Sequence, residues 1–284
     1  MSITLIDEAL LPGSATPEPV GPTAILHMVG DLHMGAWLEA RQDTAATDFL
    51  ALNPTITQRV FMGDLTHDGQ PANKAAAKAW MDSAGSGWLA VPGNHDYDQS
   101  QDADDFASDY GITVPWTHDV PDSNIRLIGV GPTSNSTSVT IPANDLAYLD
   151  AALDTTRDCL IFCHAPLTNS VAQATGQMDA EPKDDIAALL EAHPTVRAWF
   201  SGHTHSSLTS TNLVMTYSTG TQTLLAVNCS SLARIGHASD STSMTLASPV
   251  VRCYADRLEV TFRDHKTGGT IPIGGQTVYT YAFA

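Results

Sequence analysis

Five short clusters of Asp, Asn and His recur in the first 205 residues, and they hold the residue types that bind metal ions. The clusters read Asp31-Leu32-His33, Gly63-Asp64-Leu65-Thr66-His67-Asp68-Gly69, Gly93-Asn94-His95-Asp96, His164-Ala165-Pro166 and Gly202-His203-Thr204-His205. Carboxylates, an amide oxygen and imidazoles, with no cysteine among them, form an oxygen and nitrogen donor set. Such a set suits Mn, Fe or Zn better than Ca or a thiolate-bound metal.

The candidate ligands are too numerous for a single ion. About six or seven side chains at one site predict two divalent ions a few ångströms apart, with one carboxylate shared between them. Proteins use such a pair to hold and activate a hydroxide for in-line attack at phosphorus. The residue types therefore indicate hydrolysis of a phosphoester.

Each cluster directly follows a short apolar run of the kind that forms a buried strand. The strand candidates are residues 24–30, 59–62, 87–91, 125–129, 159–163 and 198–201, and helix-compatible segments lie between them at 38–52, 72–84, 143–153 and 184–193. This alternation predicts βα units. Because sites in open α/β sheets are built at the carboxyl ends of the strands, we expect the five clusters to converge in space.

The residue composition differs on either side of this region. After His205, residues 214–218, 223–227, 248–254 and 258–263 are β-branched and separated by Gly, Ser and Asn, which predicts antiparallel hairpins. Four prolines lie within residues 10–23, so residues 1–23 are predicted to be a Pro-rich leader. No linker divides the remainder, and residues 24–284 are expected to form a single domain with a β-rich C-terminal part.

Together, the clusters resemble the signature of the calcineurin-like metallophosphoesterases. That signature runs DxH, GDx4G, GNH[DE], a strand-terminal His and GHxH, and all five blocks stand here in order. The resemblance covers roughly residues 25–263. It implies an α/β fold of four layers, in which two mixed β-sheets pack face to face between flanking helices.

The resemblance also implies a role for each residue of the site. The metal ligands correspond to Asp31, His33, Asp64 and His205 for the first ion and to Asp64, Asn94, His164 and His203 for the second, with Asp64 bridging. His95 matches the catalytic histidine of the family, which donates a hydrogen bond to the phosphate and a proton to the leaving oxygen. Asp96 is expected behind His95 as the group that orients it.

One position departs from the pattern of the family's protein phosphatases, which carry Asp three residues after the bridging Asp. His67 stands there, with Asp68 next to it. The departure disfavours a phosphoprotein phosphatase and leaves the partner of His95 open. His67 is expected either to contact the substrate or only to hydrogen-bond within its loop. Asn94 and Tyr97 are further candidate substrate contacts, Tyr97 as an aromatic that stacks on a base or caps the pocket.

Outside the metal motifs, the sequence looks like the class III cyclic nucleotide phosphodiesterases. This likeness rests on GDLTHDGQP before a helix, GNHDY before an acidic helix, and Asn228-Cys229-Ser230-Ser231 in a later hairpin. The interpretation is a dimetal phosphodiesterase that hydrolyses a small diester, with cyclic nucleotides as candidates, by attack of a metal-bridging hydroxide. The alternatives are a phosphomonoesterase or nucleotidase, and a pyrophosphohydrolase. A non-catalytic scaffold on this fold would lack ligands that this chain keeps.

The composition restricts the classes of molecule that the protein is expected to bind. The chain has 284 residues, of which 43% are apolar and 15% charged, and 13 basic against 31 acidic side chains give a formal net charge of -18. Duplex nucleic acid and anionic membranes need a positive patch, so a small phosphoester is the expected partner. Neither a signal-peptide pattern nor a long apolar run is visible, so we expect a cytoplasmic protein.

The histidines outside the clusters are predicted to have no catalytic role. His27 lies within the first strand and is expected to be a hydrogen-bonded core residue. His118, His193, His237 and His265 are expected in solvated loops.

Overall fold

The computed structural model describes residues 21–35, 39–52, 55–97, 103–132, 139–175, 178–232 and 246–283. Most of the predicted leader, residues 1–20, and His237 lie outside these ranges. Within them the elements are, in chain order, β1 (Ala24–Val29), α1 (Glu39–Leu52), β2 (Gln58–Phe61), α2 (Pro71–Ser83), β3 (Trp88–Ala90), a 3₁₀ turn (Asn94–Asp96), α3 (Ala103–Tyr110), β4 (Trp116–Asp119), β5 (Ile125–Gly129), α4 (Ala143–Leu153), β6 (Asp158–Phe162), α5 (Lys183–Ala192), β7 (Val196–Ser201), β8 (Val214–Ser218), β9 (Thr223–Asn228), β10 (Ala247–Cys253), β11 (Arg257–Asp264), β12 (Gly269–Ile271) and β13 (Tyr279–Ala282).

The first sheet joins strands from the two ends of the chain. Its order is β12-β11-β10-β1-β2-β3, and β13 pairs with β11. Strands β1, β2 and β3 run parallel, whereas β10 pairs antiparallel with β1. In β1 every residue but Ile25 is buried, which is expected for a strand covered on both faces.

The second sheet has the order β4-β5-β6-β7-β9-β8. Strands β5, β6, β7 and β9 run parallel, and β4 and β8 pair antiparallel at the two edges. The predicted antiparallel hairpins β8-β9 and β10-β11 are confirmed. They belong to different sheets, however, and β9 also extends the parallel part of the second sheet, which local sequence texture does not predict.

The two sheets pack face to face over a shared apolar core. Leu26 and Met28 of the first sheet belong to the same buried cluster as Phe162, Phe200 and Val227 of the second. The rings of Phe162 and Phe200 stack with centroids 5.1 Å apart. Full burial of each such side chain contributes about 1.5–3 kcal/mol to folding, so this layer holds the sandwich together.

Helices cover both outer faces of the sandwich. Against the first sheet, Phe49 of α1 and Trp80 of α2 lie in one buried cluster with Phe61 of β2. Against the second sheet, Leu149 of α4 and Ile186 of α5 lie in another. The four-layer α/β fold expected from the resemblance is therefore confirmed. No helix in the described ranges is long and apolar enough to cross a membrane.

Two of the histidines expected in solvated loops lie elsewhere, because His118 is part of strand β4 and His265 is buried. His265 is 3% exposed, and its Nδ1 lies 2.8 Å from Oδ2 of Asp48. Oγ of Ser248 lies 2.7 Å from Nε2 of both His265 and His27. The expectation of a solvated His265 was wrong, because Asp48 on the distant helix α1 and Ser248 on the neighbouring strand β10 both contact its ring. His27 is a hydrogen-bonded core residue, as predicted.

Candidate metal centre

The five clusters of the sequence meet at the carboxyl ends of strands from both sheets. Asp31, Asp64 and Asn94 follow β1, β2 and β3 of the first sheet, and His164 and His203 follow β6 and β7 of the second. All five of these side chains are buried. The site therefore lies across the top of the sandwich, where the two sheets meet.

One group of potential ligands consists of four side chains whose donor atoms all lie within 4.8 Å of one another: Asp31, His33, Asp64 and His205. Nε2 of His205 lies 3.0 Å from Oδ1 of Asp31 and 2.9 Å from Nε2 of His33. Nε2 of His33 in turn lies 3.4 Å from Oδ2 of Asp64. These are the four residues that the resemblance implies for the first ion.

A second group shares Asp64 with the first. Asp64, His164 and His203 also place donor atoms within 4.8 Å of one another, and Oδ2 of Asp64 lies 3.2 Å from Nε2 of His164. Nδ1 of His164 must donate to the carbonyl of Met62 at 2.6 Å, because a carbonyl can only accept. Nε2 of His164 is therefore left free to bind a metal.

The buried polar atoms of the second group fit a cation. Oδ1 of Asn94, Nε2 of His164 and Nε2 of His203 are all buried without a hydrogen-bond partner in the described part of the chain. Buried polar atoms are nearly always paired, and a bound ion is one of the usual partners of those that no protein group satisfies. The donor set of carboxylate, amide oxygen and imidazole suits a divalent cation in each group, with Asp64 between them. The individual ligand roles stay predictions.

The buried imidazoles have opposite pKa shifts. Burial lowers the pKa of His33 to about 3 and that of His203 to about 4. Burial also lowers the pKa of His164, but the charge of the neighbouring Asp64 carboxylate outweighs this effect and raises the pKa to about 9. Because a ligating nitrogen cannot carry a proton, metal binding at His164 is expected to release one.

The backbone of the site is held in an uncommon conformation. Asp31, His33, Asp64, His203 and His205 all have positive φ angles, between 45° and 67°. This left-handed region costs a residue with a side chain about 1–2 kcal/mol. Such strain persists only where surrounding contacts hold it, and it clusters at functional sites.

Two motif glycines make room for the carboxylates. A Cβ atom at Gly93 would lie 2.2 Å from Oδ1 of Asp64, and one at Gly202 would lie 2.5 Å from Oδ2 of Asp31. Neither distance is compatible with a side chain. The glycines of GNH and GHxH are thus explained by the close approach of a ligand carboxylate to the backbone.

The structure places His95 beside the shared carboxylate. Its backbone N–H donates to Oδ1 of Asp64 at 2.9 Å, and its ring centroid lies 4.9 Å from that of His33. Nδ1 of His95 donates to the carbonyl of His67 at 2.6 Å. His95 therefore presents Nε2 as the nitrogen with which it can exchange a proton, and its role as the acid stays a prediction.

The predicted orienting role of Asp96 needs correction. Its Oδ1 accepts from the backbone N–H of Thr66 at 2.9 Å, and its Oδ2 accepts from that of Gly93 at 2.8 Å. Both oxygens thus hold the two loops that carry Asp64 and His95, rather than the ring of His95. Burial, and then the charge of Asp64, raise the pKa of Asp96 to about 7 against these two N–H donors.

The candidate substrate contacts lie in different environments. Tyr97 is 2% exposed, packs in the core beneath α2 and α3, and donates from its hydroxyl to the carbonyl of Pro132 at 3.0 Å. The predicted stacking on a substrate base or capping of the pocket is wrong for this position, because the side chain is buried in the core. His67 is half-buried and stacks on His95, with centroids 5.3 Å apart. Asn94 lies in the second ligand group.

Two residues that hold the backbone of the site were not predicted from the sequence. Nδ2 of Asn228 donates to the carbonyl of Gly202 at 2.6 Å, and Oγ of Ser231 donates to the carbonyl of Asp31 at 2.9 Å. The sequence pattern of residues 228–231 indicates only a subfamily feature. The place of this segment at the carboxyl end of strand β9 is the signal that it reaches the same edge of the sheets.

Two solved structures share the fold. A dimetal phosphatase from Danio rerio has a TM-score of 0.65 at 14% identity, with 93% of this chain and 100% of that chain covered. A purple acid phosphatase from yellow lupin (Lupinus luteus) seeds has a TM-score of 0.62 at 12% identity, with 91% of this chain and 53% of that chain covered. This chain thus spans about half of the lupin protein. No curated protein sequence matches it significantly.

The family is shown by the sequence profile. The profile of the calcineurin-like phosphoesterases matches residues 25–207, which is more than half of the chain and includes all five clusters. The matched region ends just after His205, the last candidate ligand. The chain therefore belongs to the calcineurin-like phosphoesterase family.

Proposed function

We propose that the protein is a dimetal-dependent phosphoester hydrolase that acts preferentially on small phosphodiesters. The observation that carries this proposal is the position of Asp64. Its Oδ2 lies 3.4 Å from Nε2 of His33 in one ligand group and 3.2 Å from Nε2 of His164 in the other, while its Oδ1 accepts from the backbone of His95. One carboxylate thus joins two candidate metal sites and a proton donor.

Each of the two ligand groups would hold one divalent cation. Bound there, such cations would lower the pKa of a water molecule towards neutrality and withdraw charge from the phosphoryl oxygens. Mn, Fe and Zn are the candidates, since the donors are carboxylate, amide oxygen and imidazole.

His95 supplies the proton for the leaving oxygen. The bond from Nδ1 to the His67 carbonyl fixes the tautomer and the plane of the ring. The bond from its backbone to Asp64 fixes the distance of His95 from the shared carboxylate. General acid catalysis of this kind typically accelerates a reaction by about 10²–10⁴-fold.

The charges of the clusters favour a diester over a monoester. The five clusters contain Asp, Asn and His but neither Lys nor Arg. A monoester brings a doubly negative phosphoryl group, for which proteins commonly supply bidentate Arg. A diester brings one negative charge. Cyclic nucleotides are the diesters that the outer sequence motifs suggest.

A phosphomonoesterase is the second candidate, because both structural neighbours are named as phosphatases. The same site chemistry serves either reaction, and the difference lies in how the second ester group is accommodated.

The test is a pair of assays on purified protein freed of metal and reloaded with Mn²⁺, Fe²⁺ or Zn²⁺. Turnover of bis-p-nitrophenyl phosphate should exceed that of p-nitrophenyl phosphate, and a panel of 2′,3′-cyclic and 3′,5′-cyclic nucleotides follows. Asp64→Asn should abolish turnover, whereas His118→Gln, in edge strand β4, should not change it. The absence of turnover with any of these metals would refute the proposed enzymatic activity. Faster hydrolysis of the monoester would refute the proposed preference for diesters.

A further inference from the structure

His67 makes two separate contacts in the site, one through its backbone and one through its ring. Its carbonyl accepts from Nδ1 of His95 at 2.6 Å. Its ring nitrogen Nδ1 lies 3.4 Å from Nδ1 of His33. The residue therefore touches both the candidate proton donor and a candidate metal ligand.

The direction of the ring contact follows from the position of His33. Nε2 of His33 lies within 3.4 Å of Oδ2 of Asp64 and 2.9 Å of Nε2 of His205, so it is the nitrogen that faces the first ligand group. A neutral imidazole that ligates through Nε2 carries its proton on Nδ1. Nδ1 of His33 is therefore the donor, and Nδ1 of His67 is the acceptor.

Hydrogen bonds hold the loop of His67 in place, so that it can orient the side chains it contacts. The backbone N–H of His67 donates to the carbonyl of Met34 at 3.1 Å, and that of Thr66 donates to Asp96 at 2.9 Å. Oγ1 of Thr66 donates to the carbonyl of His95 at 2.9 Å. The rings of His67 and His95 lie nearly parallel, with an interplanar angle of 16°. These contacts leave the His67 carbonyl and ring few other orientations.

We propose that His67 is a positioning residue that couples the orientation of metal ligand His33 to that of the catalytic His95. Its ring Nδ1 accepts a hydrogen bond from Nδ1–H of His33 and so keeps Nε2 of His33 directed at the metal, while its carbonyl keeps Nε2 of His95 available for proton transfer. The role of His95 in this inference rests on the proposed function, whereas the effect of His67 on metal binding does not.

The test compares substitutions that keep or remove an acceptor at the Nδ1 position. The side-chain oxygen of Asn can occupy the place of Nδ1, whereas the longer Gln reaches the place of Nε2. Isothermal titration of metal-free protein with Mn²⁺ should show two ions per chain in the wild type. In His67→Ala and His67→Gln the affinity for one ion should fall by about 10–100-fold, the usual effect of losing an outer-shell partner. His67→Asn should restore it to within a few-fold, and His118→Gln should leave both affinities unchanged.

A second measurement separates the carbonyl from the ring. Rates of the Mn²⁺-saturated variants on a series of aryl phosphodiesters should depend on the leaving group as in the wild type, because the carbonyl remains in His67→Ala. A steep new dependence in His67→Ala with unchanged metal affinity would show that the side chain acts on substrate, and would overturn the proposal. So would equal Mn²⁺ affinities in the Ala, Gln and wild-type proteins, or a wild type that binds no Mn²⁺.

The failure of this inference can be distinguished from failure of the proposed function. A wild type without turnover but with the expected Mn²⁺ affinity pattern would refute the enzyme and keep the positioning of His33. If the wild type is active but substitutions at residue 67 do not change the Mn²⁺ affinities, only the role of His67 is refuted.

Discussion

The backbone N–H of His203 donates to both carboxylate oxygens of Asp31, at 3.0 and 3.2 Å. Asp31 follows a strand of the first sheet and His203 follows a strand of the second, so this bond crosses from one layer of the sandwich to the other. It fixes the carboxylate of one candidate ligand against the backbone of another. The geometry of the site therefore depends on how the two sheets are aligned.

Replacing Gly202 by Ala should disrupt this alignment. The new Cβ would lie 2.5 Å from Oδ2 of Asp31, so the carboxylate or the loop must shift. We expect Mn²⁺ affinity to fall at least about 10-fold, as measured by isothermal titration, since ligand geometry limits metal affinity. Gly269→Ala is the control, because its nearest neighbour would be 3.4 Å away. Wild-type affinity in Gly202→Ala would contradict the steric account.

Replacing His95 by Ala should separate metal binding from catalysis. His95 touches Asp64 only through its backbone N–H, which the variant keeps. Both ions should therefore bind as in the wild type, whereas turnover of diesters with poor leaving groups should fall by about 10²–10⁴-fold. A series of aryl diesters measures the effect. Equal losses for good and poor leaving groups would exclude His95 as the general acid.

Replacing Asp96 by Asn should destabilise the two loops on which the site stands. The carboxylate accepts from two backbone N–H groups, whereas an amide can accept only through one oxygen and turns its own N–H₂ towards the other donor. A buried donor left without a partner costs about 1–3 kcal/mol, which urea denaturation at pH 7.5 would measure. The exposed Asp82→Asn serves as the control and should change stability by less than about 1 kcal/mol. Equal stabilities of the two variants would argue against the anchoring role of Asp96.

Acid should destabilise the protein partly through His27 and His265. Burial is the largest cause that lowers the pKa of each below the ordinary 6.5, and for His27 the neighbouring His265 lowers it further. The unfolded chain therefore binds more protons than the folded one below pH 6.5, so the free energy of unfolding falls as the pH decreases from about 6.5 towards the folded pKa values. The largest loss for one such group is about 1.4 kcal/mol per pH unit.

The variant His27→Gln tests this pH dependence. The Gln amide can donate to Ser248 as Nε2 of His27 does, but it does not titrate. Urea denaturation between pH 7.5 and pH 5 should show a shallower loss of stability in His27→Gln than in the wild type, whatever the difference at pH 7.5. His118→Gln should retain the wild-type slope. Parallel curves for all three proteins would mean that His27 is not among the groups that take up protons.

Much of the site was predictable because its residues lie at strand ends. Asp31, Asp64 and His203 each follow an apolar run, and the carboxyl ends of neighbouring parallel strands must meet at one edge. The donor types then restricted the chemistry to hard or borderline divalent cations. Neither conclusion needed the positions of individual atoms.

The partners of His95 were not predictable from residue types. His95 bonds to a backbone carbonyl, that of His67, and every residue has such a carbonyl, so the sequence carries no signal for it. Asp96 stands next to His95 in the chain, but its side chain points to backbone N–H groups of Thr66 and Gly93. Adjacency along a 3₁₀ turn does not determine which way a side chain faces.

By itself, the sequence determined the set of candidate ligands, their order along the chain and the α/β alternation that brings them to one edge, because these follow from residue type and from local periodicity. The tertiary structure alone decided which groups pair across long separations. It buried Tyr97 in the core, placed His265 against Asp48 from a distant helix, and put the hairpins β8-β9 and β10-β11 into different sheets. Contacts of this kind depend on how the layers pack, and no local pattern encodes the distance between two residues 200 positions apart.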